Sequence, residues 1–558
     1  MREPASTGGA GGYLCTMPPT RSLPPHRKRA WQAWILPTGL VLAWLCIVLA
    51  VSAHHEFWRD EVRALSIAMD ASSLSDLFRL MQDEGHPILW HLLLYGAYHA
   101  TGSKLVLPVL SMILAGMAVF LLAFFSPFPT WLKALFIFSG LPLYEYSVMA
   151  RNYGISMLLL FACAHLYQLR RSHPVVPFGL GIILALLANT NIHSLILASL
   201  LLGLWCWDTF VTEKNRAASA GARNLYAATA IVLLGIGGAL STVWPSGNMI
   251  VSDSTRYTAM NILRAVRDTT LQPAGQFSEL FPAMIPLAIA GVVLLASMSG
   301  LIFRPALLVV ACSGLWGLSV FFDVFYRGFY RHQGLFVCFL ISLYWIMLAE
   351  RGPIAQGTSQ AMAPAIAWHG GLALLLLSLI WTGGSKLYAD WRYGASASKA
   401  LHGFVTSHPE YADAILIGEP DYFLESARYY LDNPVYLVRE RRFGHVVRFV
   451  RSAQLDLGMG ELLCSAWQIH QREAKPVLIA LGHRPAHGIP MEPNSSLQSI
   501  AYPYRRSFRW TFEELLNWRR HTHLLQRFDP QVAGDESYAV YSLAQGAQAP
   551  EPPCPSGQ

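Results

Sequence analysis

Apolar runs long enough to cross a lipid bilayer recur through the first two thirds of this chain. A spanning helix needs about 20 mainly apolar residues. Candidate runs occupy residues 34–53, 105–125, 131–149, 152–169, 175–193, 195–208, 225–245, 281–303, 305–322, 333–349 and 365–382. Only 13% of the 558 residues are charged, against about 25% in ordinary soluble domains. The chain therefore reads as an α-helical polytopic membrane protein. Its net charge of +7 is assigned to topology, because basic residues in such chains mark the cytoplasmic side; it is not read as nucleic-acid binding. Residues 1–33 are Pro/Gly-rich, then basic, and form an expected cytoplasmic tail without fixed structure; residues 546–558, beyond the last strand, are also expected to lack fixed structure. The eight cysteines show no CxxC or metal-type spacing, so they are expected to be packing residues without a disulfide framework.

Loop charge decides the sidedness of the shorter apolar stretch 86–100, "HPILWHLLLYGAYHA". If this stretch lies in the interface and does not cross, then the N-terminal basic cluster, Lys133, Arg170, Arg171, Lys214, Arg216, Arg223, Arg304 and Arg351 share one side. That is the positive-inside arrangement. It predicts about eleven crossings, with the N-terminus inside and the C-terminus outside. Asp60, Glu61, His86, Glu145, Arg151, His193, Arg327, Arg331 and His332 then all fall at the outer boundary. Polar groups at membrane depth are costly, and by default they mark functional sites.

After residue 383 the composition changes. Strand-like "ADAILIGEP" (412–420), "PVYLVR" (434–439), "PVLIALG" (476–482) and "ESYAVYSL" (536–543) alternate with helical "DYFLESARYYL" (421–431) and "GELLCSAWQIHQREA" (460–474). This alternation predicts a C-terminal soluble α/β domain over 383–545 with a largely parallel sheet. It carries no phosphate-binding glycine fingerprint. The transmembrane unit is expected over 34–382, with its first outer loop at 54–104.

That loop holds the densest charge, "AHHEFWRDEVRALSIAMD" (53–70). Trp58, Val62, Leu65 and Met69 recur at helical spacing, and Glu56, Asp60 and Arg63 fall on a second row. An amphipathic helix in the outer interface fits both rows. Asp60 and Glu61 point about 100° apart on such a helix, so they are expected to play different roles. Arg59 and Arg63 could neutralise both acids as plain ion pairs, and on residue chemistry alone that reading stands level with catalysis. In "GHPIL" (85–89), Pro87 suits the first turn of a helix and sets His86 at its start.

These segments, taken in order, resemble the GT-C superfamily of membrane glycosyltransferases, in the branch of protein O-mannosyltransferases and lipid A aminoarabinose transferases. The likeness runs over roughly residues 34–350, through "FWRDEVRAL" (57–65), "GHPILWHLLLY" (85–95), "LPLYEYSVMARNYGISMLLL" (141–160), "ANTNIHSLILASLLL" (188–202) and "FYRGFYRHQGLFVCFL" (325–340). It departs from the pattern at Ile88, where a second Pro is usual, and at Ser194 and His332, where Tyr is common. The resemblance implies transfer of a sugar from a polyprenyl-phosphate-linked donor at the bilayer surface to a glycolipid, glycan or protein acceptor. It implies Asp60 and Glu61 as the catalytic acids, with Asp60 the base and Glu61 orienting acceptor or a neighbouring basic group. Arg151, Arg327 and Arg331 would bind the donor phosphate, which suits the fixed fork of the guanidinium. His86, Glu145, Tyr153, His193 and His332 would line the substrate site. One carboxylate base without a covalent intermediate implies inversion. No cofactor is implied with certainty; a divalent metal is left open, since Asp60, Glu61, His86 and His193 could coordinate one but form no compact ligand motif. A bacterial inner membrane with the site on its periplasmic face is the expected location. The competing classes are a transporter or flippase, which should show internal repeats that this sequence lacks, a non-catalytic scaffold, and a ligase or polymerase for lipid-linked glycans.

Overall fold

The computed structural model describes residues 26–212, 218–245, 258–351, 359–482, 495–501, 504–528 and 534–544. The membrane unit begins with α1 (His26–His54), α2 (Arg59–Asp70), α3 (Leu74–Leu80), α4 (Leu89–Thr101) and α5 (Val106–Phe125). It continues through α6 (Thr130–Ile137), α7 (Tyr153–Leu169), α8 (Val176–Ala188), α9 (Ile192–Trp207) and α10 (Ala218–Val243). It closes with α11 (Ala259–Leu271), α12 (Leu287–Met298), α13 (Pro305–Val324), α14 (Tyr330–Arg351) and α15 (Ser359–Tyr393). Among the described residues, seven helices are long and apolar enough to cross a membrane, and α7, α8 and the α12 region are shorter apolar helices. The chain is a multi-pass membrane protein.

α14 is the central helix. Its spanning window is 89% buried, whereas α1 is 17% buried and leaves most of its apolar surface for lipid. Leu234, Met284 and Val309 face outward in the same way, as expected where the surrounding solvent is hydrocarbon. α14 packs against α7 and α13, and α12 packs against α15. Where α15 crosses the turn after α6, Gly140 and Gly383 touch backbone to backbone. A Cβ on Gly140 would lie 2.2 Å from the Gly383 Cα, so neither position has room for a side chain.

The two ends of the bundle are chemically distinct. At one end Asp208, just past α9, accepts from Tyr167 and Arg170 at the close of α7 and pairs with Arg304 before α13. Both arginines also reach Glu350 at the close of α14. At the other end, His55 after α1 is bonded to Asp390 near the close of α15. Lys104, at the foot of α5, donates to the Arg428 carbonyl and to Asp432 at 2.8 Å each. The exit of α1 and the start of α5 therefore lie at the same end. α4, at 13 residues, covers only about 20 Å and stays at that end of the bundle, stopped by Gly102 in the left-handed conformation (φ 67°).

Several boundaries differ from expectation. α1 starts ahead of residue 34, and α15 runs past 382 to Tyr393. The run 131–149 is broken into α6 and a π-helical turn at Leu141–Glu145. α11 was not anticipated: its exposed apolar residues Met260, Leu263 and Leu271 alternate with Arg264 and Arg267, a stripe too short and too charged to read as a span.

The C-terminal domain contains α16 (Ser398–Ser407), α17 (Ala427–Tyr430), α18 (Met459–Glu473) and α19 (Phe512–His521). Its strands are β1 (Ile415–Glu419), β2 (Tyr436–Leu437), β3 (Arg442–Phe443), β4 (Asp456–Gly458), β5 (Val477–Leu481), β6 (Ser495–Ala501), β7 (Tyr504–Trp510), β8 (Thr522–Phe528) and β9 (Tyr538–Leu543). The main sheet has the order β1-β5-β9-β8. Only β1 and β5 run parallel in it; β9 is antiparallel to both neighbours. The expected largely parallel sheet is thus mixed. The expected helix over 421–431 is reduced to two short turns, and the strand at 434–439 to two residues in a side ribbon. Cys464 on α18 is disulfide-bonded, against the expectation of packing cysteines throughout.

With the free cysteines replaced, single cysteines at Ser75, Thr101 and Ser407 should label with an impermeant maleimide from one side of sealed vesicles, and one at Ser172 only from the other. Labelling of Ser75→Cys and Thr101→Cys from opposite sides would overturn a non-crossing α4.

Candidate active site

Three segments remote in sequence meet at the end of the bundle that contacts the C-terminal domain. α2 supplies Asp60, the turn before α7 supplies Arg151, and the first turn of α14 supplies Arg331. Arg151 Nη1 donates to Asp60 Oδ2 at 2.9 Å, and Arg331 Nη2 lies 3.7 Å from the same oxygen. Arg331 also reaches toward Glu145, at 4.0 Å. The Trp58 ring underlies the group, 5.4 Å from the Arg331 guanidinium and 6.0 Å from that of Arg151. The Arg151 guanidinium also lies 5.6 Å from the Tyr153 ring centre, and that of Arg331 lies 5.5 Å from the Phe329 ring centre. Burial pushes the Asp60 carboxyl up, but Arg151, Arg59 and Arg331 together outweigh it and hold it at about 2. About a third of the Asp60 side chain, 32%, is still open.

The neighbouring arginines are used elsewhere. Arg59 turns to Asp535 and Glu536 of the C-terminal domain and only grazes Asp60 at 4.0 Å. Arg63 binds Glu84, Glu425 and the Val447 carbonyl. The expected pairing of Arg59 and Arg63 with Asp60 and Glu61 is thus replaced by pairs with Asp535, Glu536, Glu84 and Glu425, and Asp60 is left mainly to Arg151 and Arg331. α2 itself is covered by protein, not lipid: Val62 and Leu65 are wholly buried in one core with Trp90 and Leu94 of α4.

Glu61 faces away from Asp60, as the helical offset predicts. It is fully buried. Its oxygens accept from the Trp58 N–H at 3.0 Å, the Ala150 N–H at 2.7 Å and the His55 ring at 3.1 Å. His55 bonds Asp390 through its other nitrogen at 2.7 Å. Burial draws the His55 ring down, yet Glu61 and then Asp390 overcome it and raise it to about 10. The ring is an imidazolium between two carboxylates.

The remaining predicted residues fall into two groups. His86 is close enough to Asp60 and Arg151 to feel both charges, and burial, then Arg151, push its ring down. Its Nδ1 faces the Glu84 carbonyl at 3.1 Å, so Nδ1 carries the proton and Nε2 is left as an acceptor. His332 accepts from the Phe329 N–H, stacks on His193 with ring centres 4.8 Å apart, and meets Tyr153 edge-on. Among the described residues, neither ring nitrogen of buried His193 has a hydrogen-bond partner. Glu145 is buried beside Arg331. Arg327 stands apart: it is exposed on the turn before α14, with its guanidinium over Phe329. Among the described residues, no three His, Cys, Asp or Glu side chains are grouped to hold a metal ion.

His55 and Asp390 were not legible as site residues, because 335 positions separate them. In the sequence Trp58 carries only the signal of an apolar helical row.

No family model and no curated protein matches the sequence. The chain course is similar to that of ArnT from Cupriavidus metallidurans. The apo structure of that protein aligns over 90% of this chain and 98% of its own, at 13% identity and a TM-score of 0.43. The structure titled as bound to undecaprenyl phosphate aligns over 92% and 100%, at 13% identity and a TM-score of 0.41.

Glu61→Ala should leave a buried imidazolium with one carboxylate and two backbone N–H groups without acceptors. A loss of about 3–5 kcal/mol is expected for breaking such a pair, read as a large drop in the thermal unfolding midpoint in detergent. An unchanged midpoint would remove Glu61 from its structural role.

Proposed function

We propose that this chain is a membrane glycosyltransferase that moves a sugar from a polyprenyl-phosphate-linked donor to a hydroxyl- or amine-bearing acceptor. The observation that carries the reading is the convergence of one partly open carboxylate, Asp60, with two guanidinium groups, Arg151 and Arg331, at one end of an apolar bundle. A lipid phosphate arriving along the bilayer surface meets that end first. The ordered sequence resemblance to GT-C enzymes supports the same chemistry.

In the reaction, the acceptor oxygen or nitrogen attacks the anomeric carbon from the face opposite the phosphate. The carbon–oxygen bond to phosphate breaks with its electron pair, and polyprenyl phosphate leaves on Arg151 and Arg331, which offset its charge. Asp60 takes the acceptor proton. A single displacement inverts the sugar carbon. Arg327 adds positive charge from the exposed rim. His86 Nε2 and the two bare nitrogens of His193, with His332, Glu145 and Tyr153, offer bonds to sugar and acceptor hydroxyls. Glycolipid, glycan and protein acceptors all fit these roles. The site and C-terminal domain would face the periplasm of a bacterial inner membrane.

Asp60 paired with Arg151 at a pKa of about 2 is a weak base. A donor phosphate that draws both arginines away removes the main influence holding the carboxyl down, so the pKa rises and the base strengthens once donor is bound. Base activity requires the carboxylate and is lost as pH falls through its pKa. The acidic limb of kcat, which reports the bound enzyme, should therefore lie at higher pH than that of kcat/KM, which reports the free enzyme. Coincident limbs would refute this activation.

The direct test supplies membranes containing Asp60→Asn, Arg151→Ala or Arg331→Ala protein with labelled polyprenyl-phosphate-linked hexoses and pentoses. Asp60→Asn should lower transfer by about 10²–10⁴-fold, and each arginine variant by about 10²–10³-fold. Full transfer by all three would sink the reading. Movement of lipid-linked sugar across the bilayer without transfer would favour a flippase.

A further inference from the structure

The pair formed by Asp60 and Arg151 is built from two residues whose chain neighbours are held by one side chain. Asp60 precedes Glu61, and Arg151 follows Ala150. Glu61 Oε1 accepts from the Ala150 N–H at 2.7 Å, and Oε2 from the Trp58 N–H at 3.0 Å. The carboxylate thus fixes the first turn of α2 and the approach to α7 together, one residue away from each member of the pair. A carboxylate with two fixed backbone donors still needs its own orientation set. His55 sets it: Nε2 faces both Glu61 oxygens, at 3.1 and 3.2 Å.

His55 is itself anchored. Its side chain is 1% exposed, and Nδ1 meets Asp390 Oδ2 at 2.7 Å. Asp390, near the close of α15, is 2% exposed. A neutral imidazole would turn a lone pair toward one of the two carboxylates, whereas the imidazolium donates to both. The chain of bonds from α15 through His55 and Glu61 to Ala150 and Trp58 lies behind the site and reaches none of the groups that would touch substrate.

We propose that His55 is a positioning residue: anchored on Asp390, it holds Glu61 so that Arg151 and Asp60 keep the spacing needed to bind a polyprenyl phosphate. This rests on the reading of Arg151 as a phosphate ligand. His55→Gln, whose amide can serve only one carboxylate as donor, loosens Glu61 and with it both ends of the pair. Asp390→Asn keeps the shape of the anchor and removes its charge.

The experiment measures the affinity of the full-length chain in nanodiscs for undecaprenyl phosphate, alone and in a double-mutant cycle. His55→Gln should weaken binding about tenfold, by the sensitivity of bound geometry to displacements near 1 Å, and Asp390→Asn about threefold. In an Arg151→Ala background, His55→Gln should cause no further loss, because the ligand it positions is gone. A purely structural role would give the same further loss in both backgrounds and would overturn the proposal, as would wild-type affinity in folded His55→Gln. If His55→Gln does not fold, the milder Asp390→Asn carries the same cycle with the same two outcomes. If Arg151→Ala itself binds like wild type, the phosphate reading fails, and with it the basis of this inference. If Arg151→Ala binds weakly but the His55 and Asp390 variants bind like wild type, only this inference fails.

Discussion

A fully buried glutamate, Glu61, ties together segments that the sequence keeps far apart. Its bonds to the Trp58 and Ala150 amides and to His55 join the loop after α1, the head of α2 and the approach to α7. Burying a carboxylate is costly unless it is paired and hydrogen-bonded. Here each requirement is met by a different part of the chain, so the charge is stable only when all of them are in place. The geometry of the neighbouring Asp60 is a by-product of that condition.

The C-terminal domain completes the arrangement by taking charge away from the site. Asp535 and Glu536 bind Arg59, and Glu425 with Glu84 binds Arg63. Had these arginines turned inward, Asp60 would be surrounded by cations from its own helix. Instead α2 distributes its charges by face: arginines toward the soluble domain, Glu61 into the core, Asp60 toward Arg151 and Arg331. A segment that looks overcharged in sequence is, in the folded chain, divided among three environments.

How far the sequence could be read follows from the range of the forces involved. Spanning helices are local and periodic, so the main ones, from α1 to α15, appear near their expected places. The offset between Asp60 and Glu61 is also local, a property of the helix alone, and their different environments follow it. The convergence of Arg151 and Arg331 on Asp60 was approachable through sidedness, because loop charge already assigned them to one boundary. Sheet pairing in the C-terminal domain was not: β9 lies antiparallel beside β5 only through contacts across the whole domain, and strand periodicity says nothing of direction. α11 escaped because its apolar stripe is interrupted by arginines. The partnership of His55 with Asp390 spans nearly the whole membrane unit, and a lone histidine beside a span carries no signal of it.

The ionic knot of Asp208, Arg170, Arg304 and Glu350 lies at the opposite end of the bundle from Asp60. It ties the closes of α7, α9 and α14 to the start of α13, while α7, α9 and α14 are also engaged at their other ends. Helices bolted at both ends resist rocking about a midpoint, because tilting one end would strain charged contacts at the other. The knot therefore sets the spacing of α7, α9 and α14 from the end remote from Tyr153, His193 and Arg331, which the same three helices carry at their starts.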